Sequence, residues 1–234
     1  MSDIDLDLQL LQKMSVEHAS KFIQYLSKSN SQLRQDLFVL SQLNFKTNGY
    51  FVEFGATDGV GISNTYLLEK EFGWKGILAE PAKYWHNNLK SNRNAHIETN
   101  CVWSESNSIL SFNEVNDVEF STIDVYSDTG GDYHKQTRKF GKTYNVKTIS
   151  LNDLLLKYNA PKNIDYLSID TEGSEFEILN TFDFAAHRFN VITCEHNFTP
   201  MREQILDLLT KNGYNRVYQE ISQFDDWYIN EEML

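Results

Sequence analysis

Residues 50–61 read YFVEFGATDGVG, an apolar run that leads into three glycines within seven positions. The apolar residues predict a buried β-strand that ends near Phe54. Gly55 and Gly59 predict a turn in which bare backbone lies against a ligand, because glycine leaves room that side chains would fill. In open α/β sheets, ligands bind beyond the carboxyl ends of the strands. The stretch therefore predicts a sheet whose ligand-binding loop follows this strand.

Short apolar runs alternate with helical patterns along most of the chain. Strands are predicted at KGILAEP, AHIETNCVW, NIDYLSIDTEG and FNVITCEHN, and a closing pair of strands at YNRVYQEI and DDWYIN. The closing pair is expected to be antiparallel because its connection is short. The alternation predicts an α/β fold, with a mostly parallel sheet covered by helices on both faces.

The chain is expected to have two parts. Residues 1–45 carry a helical pattern and are predicted to form an N-terminal helical extension, followed by a ligand-binding domain over residues 46–234. Residues 105–150 interrupt the alternation, with a hairpin predicted at SILSFNEVN and a long loop at YSDTGGDYHKQTRKFGKTY. The basic stretch at 134–142 is interpreted either as a solvated loop or as a mobile lid over an anionic or extended substrate, with Gly130 and Gly131 as its hinge.

The composition limits the classes of partner. The 234 residues carry a net charge of -12, a field that repels phosphate backbones, so no nucleic-acid partner is expected. The N-terminus lacks the apolar core of a signal peptide and no run is long enough to span a bilayer, which predicts a cytoplasmic protein. Cys101 and Cys194 lie in apolar, strand-like runs and are predicted to be buried, reduced thiols.

The glycine spacing and two acids favour a ligand with a positive charge. The spacing G-x-x-x-G-x-G differs from the G-x-G-x-x-G pattern whose loop holds a pyrophosphate. Glu53 lies in the turn region and would repel a pyrophosphate, whereas S-adenosylmethionine carries an ammonium, a sulfonium and no phosphate. Glu80 ends the second predicted strand, where an acid accepts hydrogen bonds from ribose hydroxyls in NAD folds and S-adenosylmethionine folds alike. An NAD-dependent oxidoreductase and a catalytically silent cofactor-binding protein therefore remain as alternatives.

Five segments together resemble the FkbM family of S-adenosylmethionine-dependent methyltransferases: RQDLFVL, GYFVEFGATDGVGISNTYLLEKEFGWKGILAEP, IDYLSIDTEGSEFEIL, VITCEHN and DDWYI. The resemblance implies a class I methyltransferase, Rossmann-like fold with a seven-stranded, mostly parallel sheet and an antiparallel C-terminal hairpin. It implies O-methylation of a hydroxyl on a sugar, a glycan or a related small acceptor. By motif position it also implies a set of cofactor-binding residues: Gln35, Glu53, Gly55, Thr57, Asp58, Gly59, Asn64, Glu80, Pro81, Asp170 and Glu172.

Methyl transfer to a hydroxyl needs a group that removes the hydroxyl proton. Asp170 ends one predicted strand, and Glu195, His196 and Asn197 end the next, so parallel pairing would bring these residues together. We predict Asp170, Glu195 and His196 as the catalytic set, with His196 best suited to be the base by its ordinary pKa. Alternatively, Asp170, Glu195 and Asn197 would supply oxygen ligands to a divalent cation. The route without a metal is preferred.

Structural roles compete with these functional ones. Glu172 and Glu175 follow a strand and precede a helical pattern, where acids stabilise the helix N-terminus through its dipole. His196 is open to a role as a hydrogen-bonded structural histidine. The run from Glu195 to Asn197 is also open to binding an acceptor hydroxyl without taking part in catalysis.

Overall fold

The computed structural model describes residues 3–233, so the outermost positions of the two predicted parts lie outside the described residues. Strands and helices alternate over most of the chain, as the apolar pattern predicts. The strands are β1 (Tyr50–Phe54), β2 (Lys75–Ala79), β3 (His96–Glu98), β4 (Cys101–Trp103), β5 (Ile109–Glu114), β6 (Thr122–Ile123), β7 (Lys142–Ser150), β8 (Asn163–Ile169), β9 (Arg188–Glu195), β10 (Tyr214–Val217) and β11 (Asp225–Asn230). The α-helices are α1 (Asp3–Gln12), α2 (Val16–Tyr25), α3 (Gln35–Gln42), α4 (Tyr66–Phe72), α5 (His86–Asn92), α6 (Asp132–Arg138), α7 (Leu151–Lys157), α8 (Glu175–Asn180) and α9 (Met201–Lys211).

The main sheet has seven strands in the order β10-β11-β9-β8-β1-β2-β3. Strand β1 pairs in parallel with both β2 and β8, and β8 pairs in parallel with β9. Strand β11 is antiparallel to both of its neighbours, β9 and β10. This confirms the class I methyltransferase fold that the family resemblance implies. The strand order reverses between β1 and β8, so a ligand is expected at the carboxyl ends of these strands.

Apolar residues cover both faces of the main sheet, because successive residues of a strand point to opposite sides. Phe51 of β1 packs in a cluster with Leu10, Phe22 and Phe38 from the N-terminal helices. Val52, the next residue, packs in a second cluster that includes residues of α7 and α9. The N-terminal helices therefore cover one face of the sheet and help to fix the strand that carries the glycine loop.

A second, four-stranded sheet corrects three of the predictions between residues 96 and 150. It has the order β4-β7-β5-β6. The stretch AHIETNCVW was predicted as one strand, but it forms two: Glu98 accepts a hydrogen bond from the Asn100 N–H at 3.0 Å, and this local turn separates β3 from β4. The predicted hairpin at SILSFNEVN is the single strand β5, which pairs with the short β6 on one side and along its whole length with β7 on the other. That pairing joins distant segments, which a local turn signal cannot reveal.

The predicted long loop between residues 126 and 144 instead contains helix α6 and the start of β7. Helix α6 lacks an apolar stripe that would reveal it in the sequence, and it is anchored by a buried arginine described below. Both cysteines are free and buried, which confirms that prediction. Within residues 3–233, none of the helices combines the length and the apolar character needed to cross a bilayer.

Candidate functional site

The glycine loop after β1 is shaped by close packing with the rest of the chain. Gly55 has φ +74°, and a Cβ atom there would lie 2.0 Å from the carbonyl oxygen of Asp170 at the end of β8. Gly59 has φ +79°, and its Cβ would lie 2.6 Å from Cγ of Arg93, just beyond α5. We expected these glycines to leave room for a ligand. The structure shows that they first leave room for the neighbouring strand and helix.

Glu53 organises the loop that follows the glycines. Its buried carboxylate accepts hydrogen bonds from the Asn64 N–H at 2.7 Å, the Thr65 hydroxyl at 2.5 Å and the Ser63 hydroxyl at 3.1 Å. The Arg93 guanidinium lies 3.7 Å away. The positive charge beside Glu53 therefore belongs to Arg93, so the position of Glu53 does not indicate a cationic ligand.

Glu80 lies at the end of β2 and is held by the backbone on both sides. One carboxylate oxygen accepts the Thr57 N–H at 2.9 Å, and the other accepts the Ala82 N–H at 2.8 Å. The residue is 5% exposed, and burial raises the pKa of the carboxyl to about 7. A buried carboxylate fixed in this way is a strong acceptor for hydroxyl groups of a ligand.

A cleft lies at the carboxyl ends of β1, β2 and β8. Six of the predicted cofactor-binding residues line it: Gly55, Thr57, Glu80, Pro81, Asp170 and Glu172. The opposite wall is apolar and comes from the second sheet and its connections, with Phe112, Val118 and Ile123. Sequence reasoning missed this wall because it assigned residues 105–150 to a separate insertion.

Five predicted cofactor-binding residues are not among those that line the cleft in the described chain: Gln35, Glu53, Asp58, Gly59 and Asn64. These residues help to build the structure around it. Gln35 donates from its amide to Asp225 at 2.9 Å, and Asn64 donates to the Ser168 hydroxyl at 3.0 Å. Asp58 accepts the N–H groups two and three residues further along, which closes the glycine turn.

Asp170, Glu172 and Glu195 form a carboxyl cluster, with one oxygen of each within 4.8 Å of the others. Asp170 and Glu195 meet because they stand at the ends of the adjacent parallel strands β8 and β9, as the sequence predicts. Burial raises the pKa of both carboxyls well above their ordinary values, and the cluster's own negative charges add to the effect. Among the described residues, neither carboxylate has an ion-pair partner.

Arg138 is a site residue that the sequence placed in an exposed basic loop. It is 2% exposed, and its guanidinium donates to Glu172 at 2.7 Å and to the carbonyls of Phe120 at 2.8 Å and Thr129 at 3.1 Å. Burial raises the pKa of Glu172 to about 7, and Arg138 opposes this rise. These contacts hold the predicted lid segment in place, and its movement on ligand binding stays a prediction. Since its partners are distant in sequence, no local signal marks Arg138.

His196 has one ring nitrogen in a hydrogen bond, and its Nε2 has no hydrogen-bond partner among the described residues. Its Nδ1 accepts the Phe198 N–H at 2.9 Å, so the neutral ring carries its proton on Nε2, which lies 3.8 Å from Asp226. Burial lowers the pKa of His196. The ring therefore has no free lone pair to act as a base. Asn197 directs its amide nitrogen toward Glu172 at 3.4 Å, so the donor end of that amide faces the cluster.

The chain is similar to known methyltransferases in its sequence and in its fold. The family model described as the methyltransferase FkbM domain matches residues 53–216, and no curated protein matches the sequence significantly. One similar solved structure is precorrin-6y C5,15-methyltransferase from Geobacter metallireducens, with 11% identity over 78% of this chain and 71% of that chain, and a TM-score of 0.44.

Two human structures are also similar. The methyltransferase 10 domain containing protein has 12% identity over 84% of this chain and 80% of that chain, with a TM-score of 0.38. The N-terminal domain of METTL16 in complex with SAH has 13% identity over 79% of this chain and 62% of that chain, with a TM-score of 0.35. The chain thus spans less than two thirds of the METTL16 structure.

Proposed function

This chain belongs to the FkbM methyltransferase domain family, and we propose that it is an O-methyltransferase that moves a methyl group from S-adenosylmethionine to a hydroxyl of a sugar, a glycan or a related small acceptor. Family membership implies S-adenosylmethionine as the methyl donor. The observation that carries the proposal is the close approach of the half-buried Asp170 and the buried Glu195 beside the cleft that Glu80 borders. This pair offers negative charge and a proton acceptor at the same place.

The residues of the cleft fit this cofactor. Glu80 would accept hydrogen bonds from the ribose hydroxyls, and the apolar wall with Phe112 and Ile123 would cover the adenine ring. The cationic end of the cofactor would lie toward Asp170, where the positive charge compensates buried carboxylates. NAD would instead bring a pyrophosphate toward the same carboxylates, which Coulomb repulsion disfavours. The charge distribution therefore supports S-adenosylmethionine over NAD.

The carboxyl pair would remove the acceptor proton. When bound, S-adenosylmethionine supplies an electrophilic methyl group, and its sulfur keeps the electron pair of the broken carbon–sulfur bond. As the acceptor oxygen forms its bond to that carbon, the hydroxyl proton passes to the pair Asp170 and Glu195. Burial raises the pKa of both carboxyls, and a carboxylate with a raised pKa is a stronger proton acceptor. His196 is left outside this step because its Nδ1 already accepts the Phe198 N–H.

A divalent cation is the alternative way to activate the hydroxyl, since carboxylate oxygens are its preferred ligands. Asp170, Glu172 and Glu195 come close enough together to bind one. However, Glu172 is already paired with the Arg138 guanidinium, which supplies positive charge to the cluster. The route without a metal is therefore preferred, and turnover is expected to survive EDTA. Loss of turnover in EDTA with recovery in Mg²⁺ or Mn²⁺ would favour the metal instead.

The acidic chain supports an uncharged acceptor over a nucleic acid. A net charge of -12 repels phosphate groups, whereas it leaves the binding of neutral sugars unaffected. Transfer to RNA is an outcome that the acceptor screen should include.

The experiment measures release of S-adenosylhomocysteine with a panel of sugars and glycans, for wild type and for Asp170→Asn, Glu195→Gln and the exposed control Glu203→Gln. Removing the base should lower kcat by about 10²–10⁴-fold, and Glu195→Gln, which lies outside the cleft lining, should keep the affinity for S-adenosylhomocysteine. The control should match wild type. Full turnover in both carboxyl variants would remove the pair from catalysis. Turnover with RNA and not with any sugar would reject the proposed acceptor class.

A further inference from the structure

A second groove lies beside the carboxyl cluster, between the segment that leads into α6 and the connection from β9 to α9. Asp128, Lys135 and Phe198 are among the residues that line it. A smaller pocket that reaches Glu195 and His196 shares five lining residues with it: Thr129, Gly130, Gly173, Asn197 and Thr199. The groove is therefore continuous with the space around the carboxyl pair.

The groove and the cofactor cleft meet at the ion pair of Arg138 and Glu172. Glu172 lines both the cleft and the small inner pocket, and Arg138 lines the inner pocket. In-line displacement requires the acceptor to approach the methyl carbon from the side opposite the leaving sulfur. Asp170 lines the cleft and Glu195 lines the inner pocket, so the carboxyl pair borders both spaces and such an approach is available.

Phe198 is exposed in this groove, and packing in the apolar clusters does not explain its position. Its side chain is 71% exposed, and it belongs to none of the apolar clusters of residues 3–233. Asn197 and Phe198 have φ of +44° and +56°, the left-handed region that residues with a side chain rarely adopt. The ring of His196, buried beneath, holds this turn through the Phe198 N–H and an edge contact at 5.2 Å between ring centres. Strained backbone is found at ligand sites more often than elsewhere.

We propose that this groove is the acceptor site and that Phe198 is the platform on which a pyranose ring of a glycan stacks. The apolar C–H face of a pyranose packs against an aromatic ring, and its hydroxyls pair with amide and carboxylate groups. The groove offers the amides of Asn197 and Gln204 and the carboxylate of Asp128 beside Phe198. The inference rests on the proposed function, because it assumes a sugar hydroxyl as the methyl acceptor.

A stretch of RNA would also stack on an exposed ring, but the charges oppose it. The groove lining contains one cation, Lys135, and one acid, Asp128, so the described lining offers no surplus positive charge for phosphates. The whole chain carries a net charge of -12. Affinity for nucleic-acid backbones comes mainly from clustered lysine and arginine. A neutral, polyhydroxylated ligand therefore fits the groove better.

The test is a glycan microarray probed with the full chain in saturating S-adenosylhomocysteine. It compares wild type, Phe198→Ala, Phe198→Trp and the control Phe140→Ala, which removes an 86% exposed ring outside the groove. Losing the stacking partner should weaken binding to the wild-type glycan ligands about tenfold, whereas the larger ring of Phe198→Trp should retain it. Phe140→Ala should match wild type, and all four proteins should bind S-adenosylhomocysteine equally in calorimetry.

The outcomes distinguish an error about the Phe198 platform from an error about the sugar acceptor. If Phe198→Ala binds the same glycans as tightly as wild type, the platform is refuted while the sugar acceptor stands. If wild type binds none of the glycans although S-adenosylhomocysteine is bound, the sugar acceptor itself is rejected and this inference falls with it. A single-stranded RNA probe serves as the competing class. Binding of that RNA in a manner that depends on Phe198 would assign the platform to nucleic acid and overturn the proposal.

Discussion

Replacing Glu80 with alanine should weaken the binding of S-adenosylhomocysteine while leaving the protein folded. The carboxylate is expected to accept two hydrogen bonds from the ribose, and losing both should cost on the order of 2–3 kcal/mol, or roughly 30–150-fold in Kd. The same change leaves the N–H groups of Thr57 and Ala82 without their partner, at about 1–3 kcal/mol of folding stability for each group that stays unpaired. Glu80→Gln keeps one acceptor oxygen and should fall between alanine and wild type.

The affinity for S-adenosylhomocysteine should also depend on pH through Glu80. Burial raises the pKa of Glu80 from 4.5 to about 7, so the carboxyl of the ligand-free protein is largely protonated below neutral pH. If the ribose binds the ionised form, the affinity should fall as pH drops below 7, by up to about tenfold per pH unit. The stability that protonated Glu80 contributes is fully present below pH 4.5 and is lost as pH rises through 7. Glu80→Gln should flatten both profiles.

Titration calorimetry at several pH values between 6 and 8 provides the assay, with circular dichroism to confirm that each variant is folded. Glu203→Gln is the matched control, since it removes an exposed carboxylate far along the chain from Glu80. A folded Glu80→Ala protein with wild-type affinity would exclude Glu80 from the cofactor site. A wild-type affinity that does not change with pH would refute the ionised carboxylate as the ribose acceptor.

Two further predictions concern the scaffold of the site. Gly55→Ala places a Cβ 2.0 Å from a backbone oxygen at φ +74° and should cost at least about 3 kcal/mol of unfolding free energy, with loss of S-adenosylhomocysteine binding. Gly61→Ala is the control, because its Cβ would lie 3.7 Å from the nearest atom, and it should change the unfolding free energy by no more than about 0.5 kcal/mol. Urea titration measures both variants, and an equal loss of stability at the two positions would contradict the close packing at Gly55. Arg138→Met leaves Glu172 buried without its cation and should lower the unfolding free energy by about 3–5 kcal/mol. Proteases should also cleave the variant faster between residues 118 and 138. Wild-type stability and protease resistance in that variant would show that Arg138 does not anchor the segment.

The main sheet and the meeting of Asp170 with Glu195 could be predicted from the sequence. Both follow from one rule: apolar runs that alternate with helical patterns form parallel strands, and the residues after those strands gather at one edge. The rule holds here because β8 and β9 are adjacent. It needs only the order of the elements along the chain, and this order is visible in the residues themselves.

Contacts between distant side chains could not be predicted in the same way. Glu53 stands at a position that suggests a ligand contact, but its carboxylate is occupied by Ser63, Asn64 and Thr65. The sequence shows the acid and does not show which hydroxyls will reach it. Arg138 likewise stands in a basic, polar stretch, and only the folded chain brings it to Glu172, 34 positions away. Pairing of this kind depends on the tertiary structure.

The central claim is that the cleft at the ends of β1, β2 and β8 binds S-adenosylmethionine and not NAD. The most direct measurement is calorimetric titration of the wild-type chain with S-adenosylhomocysteine and, separately, with NAD at the same concentrations. We predict saturable binding of S-adenosylhomocysteine at one site per chain and no heat of binding for NAD. Saturable binding of NAD without binding of S-adenosylhomocysteine would contradict the assignment of the cofactor and the proposed reaction together.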